Sequence, residues 1–253
     1  MNKKTSLSYQ SREIILGSLL GDGSLKISKD YKQARFSFRH SANQEKYFWW
    51  KVKNLKEISS EHCVWKQEGE NNGWGKTKFR YQSLTLPSLT ELFKLTSKNN
   101  QLRVRRKWLN ILSPLSLAVW WCDDGSIIGN GRRGVLCTDG FDEKSQKILA
   151  KYLLNKWRVK VHPAPIKRTG AGYTKEEYWR LWFRSAEELK KFLRIILPFI
   201  PVESMLPKVI ILYKDSELQQ RWISEIASKT FFSKHTIENY AREKRSKWKS
   251  FRE

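Results

Sequence analysis

Two apolar runs in this chain end in the same way. Ile14-Ile15-Leu16-Gly17-Ser18-Leu19-Leu20-Gly21 stops at Asp22-Gly23-Ser24, and Leu115-Ser116-Leu117-Ala118-Val119-Trp120-Trp121-Cys122 stops at Asp123-Asp124-Gly125-Ser126. Pro114 precedes the second run, where proline suits the first turn of a helix, and the glycines stand where a helix is released. The expectation is two buried helices that each deliver an acid at the C-terminal end. A carboxylate there opposes the helix dipole, and a compensating cation is the usual reason for such an arrangement. Asp22 and Asp124 lie 102 residues apart, a separation that makes two similar half-domains rather than a solenoid. Small residues recur at i, i+4 in both runs, Gly17 and Gly21 in one, Ala118 and Cys122 in the other. Two such helices are able to pack side by side and bring their terminal acids together.

The charge of the chain narrows its partners. Its 253 residues hold 49 Lys+Arg against 25 Asp+Glu, a net charge of +24, which points to a polyanion, above all nucleic acid. With 40% hydrophobic residues and 12 Trp it has material for a packed core, so it is no disordered basic tail. No apolar leader opens it and no run approaches a membrane span, so it is expected to be neither secreted nor membrane-bound. Cys63, Cys122 and Cys137 form no CxxC pair and suit a reducing compartment.

After each motif helix the hydrophobic period changes to two, the mark of a strand with one polar face. Ser24, Lys26 and Ser28 alternate with Leu25 and Ile27, and Arg35, Ser37 and Arg39 with Phe36 and Phe38. Lys76, Lys78, Arg80 and Gln82 alternate with Thr77, Phe79 and Tyr81, across a polar loop from His62–Lys66. Helices are expected over 43–58 and 89–95. Ser11 is a plausible N-cap for the first motif helix. The second half repeats the order: strands over 133–138, 158–162 and 178–184, and helices over 142–156 and 186–197. Arg133, Arg158, Lys160, Arg180 and Arg184 are its basic strand positions. A sheet with an apolar underside and a Lys/Arg/Ser/Gln upper face buries helices beneath and presents cations above. These strand residues are therefore the expected contacts to nucleic acid.

At this point the residues resemble a known family. Ile15 to Gly23 and Leu117 to Gly125 both look like the nine-residue LAGLIDADG motif of homing endonucleases, in the single-chain, two-motif form. The resemblance implies an α+β fold of two αββαββα half-domains, residues 8–113 and 114–215, related by a pseudo-twofold axis and forming a saddle for duplex DNA. It also implies that Asp22 and Asp124 hold Mg²⁺ and carry double-strand cleavage at one long asymmetric site. The family's end-of-domain lysine falls on Lys208. Its first-half lysine position falls on Gln101, and Lys98 or Arg103, the nearest cations, would take that role. The resemblance also implies a monomer with internal symmetry, from an organelle (chloroplast or mitochondrion) or a bacterial cytoplasm, encoded in an intron and active in its homing.

Residues 216–253 exceed what that fold requires. Ile226-Ala227, Ser233, Thr236-Ile237 and Tyr240 follow helix-turn-helix spacing, with Phe231 where the turn glycine is usual and a basic end at Arg242, Lys244, Arg245, Lys247 and Lys249. Two other functions stay open at this stage: a maturase that binds intron RNA without cutting, and a DNA-binding regulator.

Overall fold

The computed structural model describes residues 7–68, 77–167 and 177–248. The chain divides into two compact units, residues 1–123 and 124–253.

In the first unit, helix α1 (Tyr9–Ser18) leads to strands β1 (Gly23–Lys26) and β2 (Ala34–Ser41), then helix α2 (Glu45–Asn54). Strands β3 (Val64–Gln67) and β4 (Lys78–Leu86) follow, then helix α3 (Pro87–Thr96), a ribbon of β5 (Ser97–Lys98) and β6 (Gln101–Leu102), the single turn α4 (Arg106–Leu109), and helix α5 (Pro114–Asp124). The four longer strands form an antiparallel sheet in the order β1-β2-β4-β3. Its underside, with Leu25, Phe36, Phe38 and Tyr81 buried, packs on α2, whose stripe buries Tyr47 and Phe48, with the Phe38 and Phe48 ring centroids 5.3 Å apart. Phe38 stacks on Tyr81 with centroids 4.9 Å apart.

Glycine lets α1 and α5 approach at backbone distance. A Cβ at Gly17 would lie 2.3 Å from the Ser116 carbonyl oxygen, and one at Gly21 would lie 2.5 Å from Asp123 Cβ. A second device ties the same two helices. Glu13, fully buried on α1, accepts from the Ser113 amide at 3.1 Å and from the Ser116 hydroxyl, which places a carboxylate at the positive end of α5. The N-cap of α1 is Ser8, not Ser11. The Ser8 hydroxyl accepts from the Ser11 amide at 3.2 Å, while Ser11 is buried one turn further on and donates to the Asn54 carbonyl at 2.9 Å.

In the second unit β7 (Gly125–Ile128), the one-turn helix α6 (Gly129–Arg132) and β8 (Arg133–Leu136) lead to α7 (Glu143–Trp157). Strands β9 (His162–Lys167) and β10 (Glu177–Phe183) then precede α8 (Ala186–Ile196), two 3₁₀ turns (Leu197–Phe199 and Glu203–Lys208), α9 (Ser216–Lys229) and α10 (Lys234–Lys247). The antiparallel sheet order is β7-β8-β10-β9. Helix α8 buries Leu189, Phe192, Leu193 and Ile196 at helical spacing. Gln146 of α7, also fully buried, exchanges bonds with Thr138 and donates to the Trp179 carbonyl at 3.1 Å. Starting from α1 and again from α5, the chain therefore runs twice through the order helix, two strands, helix, two strands, helix that the alternating periods indicate. No helix among the described residues is long and apolar enough to cross a membrane.

Two strand expectations are corrected. Ser28 lies past the end of β1, in a turn where its carbonyl accepts from the Tyr31 amide at 3.0 Å. Arg158 and Lys160 are not strand residues. Arg158 ends α7 in the left-handed region, φ 57°, and the Lys160 amide donates to Glu188 at 2.6 Å. The strand begins only at His162 and carries Pro163 and Pro165, which the sheet tolerates because β9 is an edge.

Candidate active site and nucleic-acid interface

In the first unit the site begins where α1 gives way to β1. Past the end of α1 at Ser18 the chain tightens to i→i+3 bonds, Leu20 to Gly17 and Gly21 to Ser18, a turn that carries Asp22 and enters β1 at the next residue. The Asp22 side chain is 40% exposed. Behind it Asp123, the seventh residue of the second motif, is buried against Gly21, the seventh of the first.

A closed polar network surrounds Asp123. Lys51 Nζ donates to Oδ1 at 2.8 Å and to Oδ2 at 2.9 Å, the Tyr47 hydroxyl donates to Oδ1 at 2.8 Å, and the Asp22 amide donates to Oδ2 at 3.4 Å. The Lys51 ammonium, with no exposed surface, also lies 4.9 Å from the Phe38 ring centroid and 5.1 Å from that of Tyr47. Burial first, and the Asp123 carboxylate second, push the Tyr47 hydroxyl well above the usual tyrosine range. His40 bridges the buried and open acids: Nδ1 stands 3.4 Å from Asp22 Oδ2 and Nε2 3.8 Å from Asp123 Oδ1.

Asp22, His40 and Asp123 lie close enough to share a cation, with their ligand atoms within 4.8 Å of one another. The donor chemistry separates them. Asp123 already receives four hydrogen bonds, about the capacity of a carboxylate, and its charge is met by Lys51. The Asp22 carboxylate faces outward, and hard oxygen donors of this kind suit Mg²⁺.

The polar side of the first sheet continues directly from Asp22. Cross-strand pairs align Ser24 with Ser37 and Lys26 with Arg35, then Ser37 with Gln82, Arg39 with Arg80 and Ser41 with Lys78. Ser24, Lys26, Arg35, Ser37, Arg39, Lys78, Arg80 and Gln82 therefore share one face, on which the described strand residues include no acid. Trp65 and Gln67, opposite Arg80 and Lys78, join them. The side-chain Nε atoms of Arg35 and Arg80 are buried without an acceptor among the described residues, so an acceptor from outside would complete them. Lys76 lies outside the described residues. Lys98 is exposed on β5, beside a turn held by Asn99 and Asn100 at φ 53° and 58°.

In the second unit Asp124, Lys208, Arg180 and Asp139 all act on the Cys137 thiol. Burial raises that thiol most, Asp124 and Asp139 add to the rise, and Arg180 and Lys208 oppose it. The second motif acid and the expected lysine are thus gathered around one side chain. The Asp124 carbonyl also accepts from the Cys137 amide at 3.0 Å. Arg180 is held by Asp139 through paired bonds of 2.7 and 2.8 Å, which raise its pKa further, so this arginine is committed to a neighbour. Arg133 and Arg184 come together with Arg132 around an open notch of about 340 Å³ beside Gly129 and Ala186. Sequence reasoning missed Asp123, Lys51, His40 and Arg132. The available signals were an acid at a motif position that must be buried, and a lysine on the apolar stripe of α2.

Comparison with known proteins gives a consistent picture. A family model described as the LAGLIDADG DNA endonuclease family matches residues 12–188. Protein RecA of Mycobacterium gastri is 34% identical over 164 residues, 58% of this chain and 36% of the RecA protein. DNA endonuclease I-ChuI of Chlamydomonas applanata is 27% identical over 149 residues, covering 54% of this chain and 68% of its own. Cytochrome b mRNA maturase bI2 of Debaryomyces hansenii is 27% identical over 174 residues, with 68% and 64% covered. The chain thus spans little more than a third of the RecA protein's length. Among solved structures, the homing endonuclease I-WcaI bound to its DNA recognition sequence shares the fold at a TM-score of 0.68 and 20% identity, over 83% of this chain and 89% of that one.

Proposed function

The chain belongs to the LAGLIDADG DNA endonuclease family, and from that membership we propose that it is a site-specific homing endonuclease cutting both strands of duplex DNA at one long asymmetric target. The observation that carries the reading is the continuity in the first unit between Asp22 and the sheet face that begins one residue later, basic, free of acids among its described strand residues, and holding two buried arginine donors that await acceptors.

In this reading the Lys/Arg positions of the two sheets grip phosphates, while Gln82, Ser24 and Ser37 read base edges in the major groove. Asp22 and Asp124 hold Mg²⁺, each acid serving one strand. When bound, the metal supplies positive charge that polarises the phosphoryl group and makes an attacking water a stronger nucleophile. Lys208, with Lys98 in the other half, offsets the charge that develops on the phosphate. Asp123 positions rather than ligates: saturated by Lys51 and Tyr47, it holds the Asp22 amide and so fixes the bend that turns the Asp22 carboxylate outward. Residues 8–113 and 114–215 form the two half-domains.

The likeness to a cytochrome b mRNA maturase favours a second reading, in which the same basic faces hold a structured intron RNA. The two are separated by incubating the protein with Mg²⁺ and a randomised duplex library and sequencing the broken ends. Cuts at one long motif establish the endonuclease. Intact duplex together with tight binding to a structured intron RNA overturns it in favour of the maturase.

A further inference from the structure

The C-terminal helix pair lies beyond residues 12–188, the part that the family model matches. It is nevertheless built firmly into the second unit. Trp222 of α9 donates to the Val209 carbonyl at 3.1 Å, and Gln219 bonds both the Ile211 carbonyl and the Tyr213 amide. Helix α10 is fixed by Ile237 and Ala241, by the buried Lys244 Nζ on the Pro207 and Ile210 carbonyls at 2.6 and 2.7 Å, and by Arg245 on the Tyr213 carbonyl at 2.6 Å. A helix held through two long basic side chains and an apolar stripe has a set rotation about its axis.

The pair has the plan of a helix-turn-helix. Four residues, Thr230–Ser233, join the helices, and Ser233 caps α10 by accepting from the Thr236 amide at 3.1 Å. Ile226 at the end of α9, Phe232 in the turn, and Ile237 on α10 are buried, while Phe231, where a glycine is usual, points to solvent at 72% exposure and so costs the turn nothing in packing. The fourth inward anchor is Ala241 rather than the expected Tyr240, which is only half-buried.

Outside those anchors Lys234, His235, Asn239, Arg242 and Ser246 are exposed. At about 100° per residue they span an arc about 140° wide, from Lys234 at one edge to Asn239 at the other. Glu238 falls inside this arc, between Lys234 and Arg242, where it lies 4.0 Å from Lys234, and Glu243 is occupied by Lys247. Arg242 donates to the Asn239 side-chain oxygen, so a guanidinium and an amide stand side by side. An amide that both donates and accepts matches the adenine edge, and a guanidinium matches guanine or a phosphate. The helix of 14 residues is long enough to lie along the major groove.

We propose that α10 is a recognition helix that inserts its Lys234/Asn239/Arg242 stripe into the major groove of duplex DNA, adding base contacts at one flank of the target. The inference rests on the duplex-binding reading above. Target selection from a randomised duplex library tests it, using the full chain and a Lys234→Ala/Asn239→Ala/Arg242→Ala variant. These side chains are exposed, so an unchanged melting temperature verifies the variant's fold. A charge-matched control, Arg221→Ala/Lys229→Ala on the exposed part of α9, removes the same two positive charges outside the stripe. The expected variant target is shorter by about three to four base pairs at one end, with affinity for the parent target reduced about 10- to 100-fold and the cleavage position kept, while the control retains the full motif. A variant target of parental length, or equal shortening in the control, overturns the recognition helix. Failure of the unmodified chain to enrich any duplex overturns the duplex-binding reading itself, a separate outcome.

Discussion

Lys51 and Asp123 form an ion pair with both side chains fully enclosed, the ammonium 2.8 and 2.9 Å from the two carboxylate oxygens under the rings of Phe38 and Tyr47. Such a pair contributes little over an apolar substitute, but either partner left alone is costly. Lys51→Met is expected to lower the unfolding free energy by about 3–5 kcal/mol, measured by denaturant titration. Adding Asp123→Asn should recover a large part of that loss, because the buried charge goes with it. Equal instability of the single and double variants would show that Lys51 acts through packing alone.

The contact between α1 and α5 depends on Gly17, where a Cβ would meet a backbone oxygen at 2.3 Å that no rotamer change removes. Gly17→Ala should therefore destabilise by about 1–3 kcal/mol in spite of alanine's better helix propensity. Gly140→Ala, with nothing within 4 Å, is the matched control and should stay within about 0.5 kcal/mol of the parent. Thermal unfolding of the two variants side by side decides it.

Much of the architecture is legible because periods of 3.6 and 2 are local. Ser24, Lys26, Arg35, Ser37 and Arg39 declare a polar sheet face, and the register puts them on one. Lys51 was not legible, since a lysine in a helix rich in Lys53, Lys56 and Lys46 reads as solvated, and only the three-dimensional pairing with Asp123 explains why it sits in the core. Asp123 was hidden by its neighbour: of two adjacent acids the motif points to Asp124, and nothing local says that the other takes a buried lysine. Arg158 was misread because in the sequence a left-handed helix cap and a strand start both show only as the end of a helical period.

Lys244 gives stability a pH dependence. Burial pulls its ammonium down to about 7, and the neutral amine retains enough N–H groups for both carbonyls. Between that value and the ordinary lysine range the unfolded chain holds a proton that the folded chain lacks, so stability rises with pH across this window. The expected slope between pH 7 and 9 is about 1 kcal/mol per unit, and Lys244→Met should flatten it. A slope unaltered by the substitution would assign it to other groups.

Phosphate contacts make affinity depend on salt. If the two sheet faces neutralise about eight phosphates, log K for duplex should fall with log salt at a slope near −7. Filter binding over a salt series measures it, and a flat response would remove the basic faces from the interface.

The assignment of cleavage to the two motif acids is tested most directly by Asp22→Asn and Asp124→Asn, each made singly and assayed with Mg²⁺ on the target selected by the parent chain. Each variant is expected to bind that target with affinity close to the parent's and to produce no double-strand break. A variant that cuts both strands at the parental rate would contradict the role of its acid and return the search for the metal ligands to the remaining carboxylates.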